Sequence, residues 1–155
     1  MARCACSREA SDPVEIVGGC HCGNLAFSLF WPDTDSLPAR GCGCSFCVKH
    51  GGVWTSNPDA SLVARLERPE NVARYEFGTK TATFHTCTRC GVVPFVTSVI
   101  DGHTFAVVNV NTFDKFDRAL LRVTPASFDG EGVGERLARR ARNWIGDVSI
   151  ETRGE

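Results

Sequence analysis

The chain has 155 residues, with 17 Lys plus Arg against 18 Asp plus Glu and a formal net charge of −1 at pH 7. That balance argues against a nucleic-acid partner, and 43% hydrophobic with 23% charged residues excludes a disordered chain, so a single globular domain is expected. No apolar run approaches the roughly 18 residues of a membrane helix, and Met1 to Glu15 has no signal-peptide stretch; no membrane partner is expected, and the predicted location is cytoplasmic.

Residues 1–15 carry Cys4 and Cys6 without any hydrophobic period and read as a mobile tail, leaving 16–155 as the folded domain. From Gly18 onward, Gly, Pro, Asn and Asp punctuate short stretches rich in Val, Phe and Thr, the pattern of a mainly β fold. The predicted strands are Leu25 to Phe30, Val53 to Ser56, Leu62 to Leu66, Ala73 to Phe77, Thr81 to His85, Val92 to Thr97 and Phe105 to Asn109. In the first of these, Leu25, Phe27 and Leu29 share one face, and Phe30 with Trp31 breaks the alternation ahead of Pro32. Asp101-Gly102 is a hairpin-type turn. A short C-terminal helix is predicted between Gly134 and Gly146, where Leu137, Ala141 and Trp144 form a narrow apolar stripe beside Arg136, Arg139, Arg140 and Arg142. Docking on the sheet is the expectation for this helix, with a basic recognition helix as the alternative that the net charge does not favour.

Nine cysteines in a chain read as cytoplasmic are not expected to be disulfides, because that compartment keeps thiols reduced. Seven of them fall into three clusters: Cys20 and Cys22, then Cys42, Cys44 and Cys47, then Cys87 and Cys90. Zinc takes four ligands in a tetrahedron, and tight C-x-C and C-x-x-C pairs let one turn supply two of them. Gly23 and Gly91 each follow the second cysteine of a pair, where a knuckle turn needs positive φ, which matches the two outer pairs to each other as one four-thiolate site. The middle cluster then contributes three thiolates and leaves a position for water or substrate, the arrangement of a catalytic zinc. The alternative is that both sites are structural, with His21, His50, His85 or a tail cysteine completing the second.

The order C-x-C-G, C-x-C-S-x-C, C-x-x-C-G resembles the glutathione-dependent formaldehyde-activating enzyme family, also described as the centromere-protein-V/GFA domain. The resemblance runs from Gly18 to Asp114 and rests on Gly19 to Gly23, Cys42 to Gly52, Tyr75 to Thr79 and Cys87 to Gly91. It implies a β-rich, Mss4-like fold with zinc knuckles. It also implies two Zn²⁺ per chain, one structural on Cys20, Cys22, Cys87 and Cys90, and one catalytic on Cys42, Cys44 and Cys47. Gly43 departs from the family, many of whose members have histidine there. Lys49 and His50 follow the triplet, either to approach the open zinc face or as solvated residues.

What the resemblance implies is a carbon–sulfur lyase that adds a thiol, glutathione, to formaldehyde or another small aldehyde. The thiol and the aldehyde are the expected partners. The alternative is a non-catalytic zinc module that binds a protein or a thiol carrier.

Overall fold

The computed structural model describes residues 12–32 and 35–153. The fold is mainly β, as the sequence predicts, and is built from two sheets. The smaller sheet contains β1 (Val14–Gly19), β2 (Leu25–Trp31), β5 (Ser61–Leu66) and β11 (Asp147–Thr152), in the order β1-β2-β5-β11. The larger contains β3 (Leu37–Cys42), β4 (Val53–Thr55), β6 (Val72–Tyr75), β7 (Thr83–Cys87), β8 (Phe95–Ile100), β9 (His103–Asn109) and β10 (Leu121–Ala126), in the order β10-β3-β4-β9-β8-β7-β6. Two helices accompany them, α1 (Ser45–His50) and α2 (Val133–Asn143).

All seven predicted strands are present, with ends shifted by up to three residues. In β2 the alternation continues past its predicted end, because Trp31 is buried in phase with Leu25, Phe27 and Leu29. β8 and β9 are joined at Asp101-Gly102, where both residues have positive φ (51° and 77°), as the two-residue hairpin turn demands. Four strands have no strong sequence signal: β1, β3, β10 and β11. β1, β10 and β11 are sheet edges, and β3 and β10 contain Pro38 and Pro125. The pairing partner, not an apolar run, holds the latter two edges, since β10 lies parallel to β3 and β11 parallel to β5. β1 also corrects the tail boundary, since residues 14 and 15 lie in the sheet. Residues 1–11, including Cys4 and Cys6, fall outside the described residues.

Inward residues of the two sheets share one core. Phe27, Leu29, Trp31 and Leu62 from the smaller sheet meet Leu37, Ala39, Ala106 and Val108 from the larger, with Ile145 closing the end. Full burial of each large side chain contributes about 1.5–3 kcal/mol, so this shared face is what fixes the relative position of the sheets. Two smaller clusters flank it, one containing Cys20, Cys87 and Cys90 and the other Cys42, Cys44 and Cys47. Among the described residues no helix is long and apolar enough to cross a membrane.

Candidate metal centres

Cys20 and Cys22 follow β1 of the smaller sheet, while Cys87 ends β7 of the larger sheet and Cys90 lies in the turn beyond it. Two turns of equal span present them: the Cys20 amide donates to the Leu25 carbonyl (2.8 Å), and the Cys87 amide to the Val92 carbonyl (3.0 Å). Gly23 and Gly91 close these turns at φ 83° and 80°, which a side chain resists. Asn24 fastens the knuckles together: its amide donates to the carbonyls of Arg68 and Asn71, and the Asn71 carbonyl also accepts from the Thr88 amide (2.9 Å).

The result is four sulfurs within 4.8 Å of one another. Sulfur separations of 3.7 Å (Cys20 to Cys22) and 3.5 Å (Cys22 to Cys87) are close to the edge of a tetrahedron with metal–sulfur bonds of about 2.3 Å, which is about 3.8 Å. Burial pushes the Cys20 thiol up to about 12, with its three sulfur neighbours adding to the effect. Burial acts the same way on Cys90, but amides at Val92 and Cys22 and the thiols of Cys87 and Cys20 outweigh it and bring that thiol down to about 6. A divalent cation suits an all-sulfur group whose four thiolates would otherwise crowd within 4.8 Å of one another without a counter-charge.

The triplet is built within one local segment. Cys42 ends β3, Gly43 donates to the Ala126 carbonyl of β10 (3.0 Å), and Cys44 caps α1, its sulfur accepting from the Cys47 amide (3.4 Å). Cys47 is buried in the first turn of α1 and accepts a hydrogen bond from the indole of Trp54 (3.3 Å). Gly52 makes room for that indole: a Cβ there would lie 2.7 Å from the Trp54 ring. Burial raises the Cys47 and Cys42 thiols, whereas at Cys44 the amides of Cys47 and Phe46 and the neighbouring thiols overcome burial and lower it. The three sulfurs lie within 4.8 Å of one another, and among the described residues no histidine or carboxylate joins either group. His85 is buried against Phe95 and bonded to Thr97, His50 stacks on Phe46, and His21 is exposed. Lys49 and His50 are solvated residues at the end of α1.

All seven predicted ligands therefore come together, in the two predicted groups. What surrounds the triplet was not predicted. The three cysteines line a cavity of about 190 Å³ together with the apolar Trp54, Phe84, Val96, Val107 and Trp144 and the basic Arg40, Arg136, Arg139 and Arg140. The expected stripe on α2 needs correction, because Ala141 is exposed and Arg140 is buried in its place. Glu131 bridges Arg139 (2.8 Å) and Arg136 (3.4 Å), and Arg139 covers the Phe128 ring at 3.8 Å. Arg136, Arg140 and Trp144 recur at i, i+4 and i+8, which is the helical period carried by arginines. That spacing is the signal that places these cations on the inner face.

No protein-family model matches the chain. Among solved structures it is similar to a Rhodobacter sphaeroides protein determined as a structural-genomics target, with 27% identity and a TM-score of 0.53 over 71% of this chain and 99% of that one.

Proposed function

We propose that the chain is a zinc-dependent carbon–sulfur lyase-like enzyme that joins a thiol, glutathione on the family resemblance, to formaldehyde or another small aldehyde at the Cys42, Cys44 and Cys47 site. One observation carries this reading: three sulfurs, with no fourth ligand among the described residues, line a cavity able to admit a small molecule. The four-cysteine group already has the four sulfurs of a closed site.

In the addition, the thiol S–H bond breaks and a sulfur–carbon bond forms at the aldehyde carbon. The carbonyl π pair moves to oxygen, which takes up the proton as a hydroxyl, and the reverse sequence is the lyase direction. Cys42, Cys44 and Cys47 would hold the zinc, which when bound would supply Lewis acidity and favour the thiolate form of the incoming thiol, so that a separate general base would not be required. The chain's own residues supply the rest. The Trp54 indole holds the Cys47 sulfur in place from behind, and Phe84, Val107 and Trp144 exclude water from the cavity wall.

The test is exchange between free formaldehyde and its glutathione adduct, followed by NMR with ¹³C-formaldehyde. The zinc-loaded protein is expected to accelerate exchange, and Cys44→Ser to return it to the uncatalysed rate. A wild-type protein that holds two zincs and accelerates nothing would give first place to the non-catalytic module.

A further inference from the structure

The guanidiniums of the triplet cavity outnumber its carboxylates. Four guanidiniums line it, and the carboxylates nearby are those of Asp129, which also lines it, and Glu131, which is committed to Arg136 and Arg139. These two carboxylates offset two of the four charges. Arg40 and Arg140 have no ion-pair partner among the described residues. Arg40 donates to the Ser56 hydroxyl (2.9 Å). Arg140 is 6% exposed, and its Nη1 donates to the carbonyl and hydroxyl of Thr81 and to the Ser98 hydroxyl, all neutral acceptors, while its buried Nε has no acceptor at all.

Cations held this deep without a counter-charge are costly, and proteins ordinarily pair them. Burial, with Arg136 and Arg139 close by, brings the Arg140 guanidinium down to about 10, still charged at neutral pH. Burial and Arg139 lower Arg40 as well. These arginines are held in place by Ser56, Thr81, Ser98 and the Trp144 ring (4.9 Å), so the site is preorganised before any ligand arrives. A guanidinium presents a planar fork that matches an oxyanion. The cavity, at about 190 Å³, is smaller than the roughly 300 Å³ at which drug-sized ligands become enclosed, so an anion at one end and the sulfurs at the other are within reach of one small molecule.

We propose that Arg40, Arg136, Arg139 and Arg140 form a carboxylate-binding subsite facing the cysteine triplet, so that the thiol used at this centre is a small acid anchored through its carboxylate. The assignment rests on the triplet being the reaction site. The anchor fixes where the sulfur lies and which thiols compete, since a neutral thiol offers the guanidiniums of the cavity no counter-charge.

The test uses the zinc-loaded full chain and calorimetric titration with 3-mercaptopropionate, which carries a thiol and a carboxylate, and 2-mercaptoethanol, which carries only the thiol. The acid is expected to bind about tenfold tighter or more, the scale of one charge-assisted contact. Arg140→Gln should bring the ratio towards one. Arg40→Gln should do the same from the β3 side, and it carries the test if the buried Arg140 variant does not fold. Equal affinities in the wild type, or an undiminished ratio in Arg40→Gln, would overturn the subsite. Succinate, which has no thiol, separates this inference from the proposed reaction. Its saturable binding should survive Cys44→Ser and weaken in Arg40→Gln, whether or not thiol and aldehyde react. Inorganic phosphate binding tighter than succinate would overturn the choice of a carboxylate.

Discussion

The two cysteine groups use the same ligand chemistry for opposite ends, and the difference lies in what each one joins. Cys20, Cys22, Cys87 and Cys90 come from the margins of two different sheets, are gripped by matching turns and cross-linked through Asn24 and Asn71. Cys42, Cys44 and Cys47 come from one strand end and one short helix, and they face a cavity whose other side is built from α2. A cross-link between sheets is a folding device, whereas a local cluster facing open space is a place for an exchangeable ligand.

The largest effect expected from breaking this contrast is at the inter-sheet group. Cys87→Ala removes a fully buried sulfur and the ion it helps hold, and structural zinc contributes on the order of 10 kcal/mol to folding. The variant should be insoluble or lack a cooperative melt, and a soluble variant with full zinc content would show that the group does not organise the fold. Cys44→Ser should cost far less. One zinc is lost and thiol binding with it, while circular dichroism retains the β signature and the melting temperature falls by only a few degrees, because the cluster closes a short loop. Collapse as complete as that of Cys87→Ala would make both groups structural.

Trp54→Phe sharpens the contrast within the triplet. It keeps an aromatic ring and removes the donor to the Cys47 sulfur, and losing a support of this kind weakens metal binding by about 10–100-fold. Chelator competition should show the loss at one zinc and leave the other unchanged; equal loss at both would deny Trp54 a local role. The smallest effect belongs to residues 1–11. Their removal is expected to leave two zincs per chain, and the loss of one would bring Cys4 or Cys6 into the metal chemistry.

The grouping of the cysteines was legible because their spacing is a local property: Gly23 and Gly91 report their turn conformation directly in the sequence, and the seven-cysteine order does the rest. Strands with an apolar face, such as β2 and β9, were legible for the same reason. The edges β10 and β11 were not, since they are stabilised by hydrogen-bonding to β3 and β5 and expose most of their side chains. The basic wall was missed on physical grounds as well. Arginine is rarely buried without a partner, so a helix with four of them reads as a solvated face, and only the assembled cavity turns Arg140 inward.

The order of these groups along the chain has a consequence during synthesis. Cys42, Cys44 and Cys47 emerge together, whereas Cys90 follows Cys22 by 68 residues (90 − 22), or about 3–14 s at roughly 5–20 residues per second. α2 begins at Val133, 86 residues after Cys47 (133 − 47), so the triplet stays without Arg136, Arg139 and Arg140 for at least about 4–17 s on the same scale. The three adjacent thiols are thus the first complete cysteine group that the nascent chain offers, at a stage when no folded cavity restricts geometry. An ion taken up by them at that stage would be chosen by availability in the cell, because coordination geometry would discriminate among metals only after the cavity has formed.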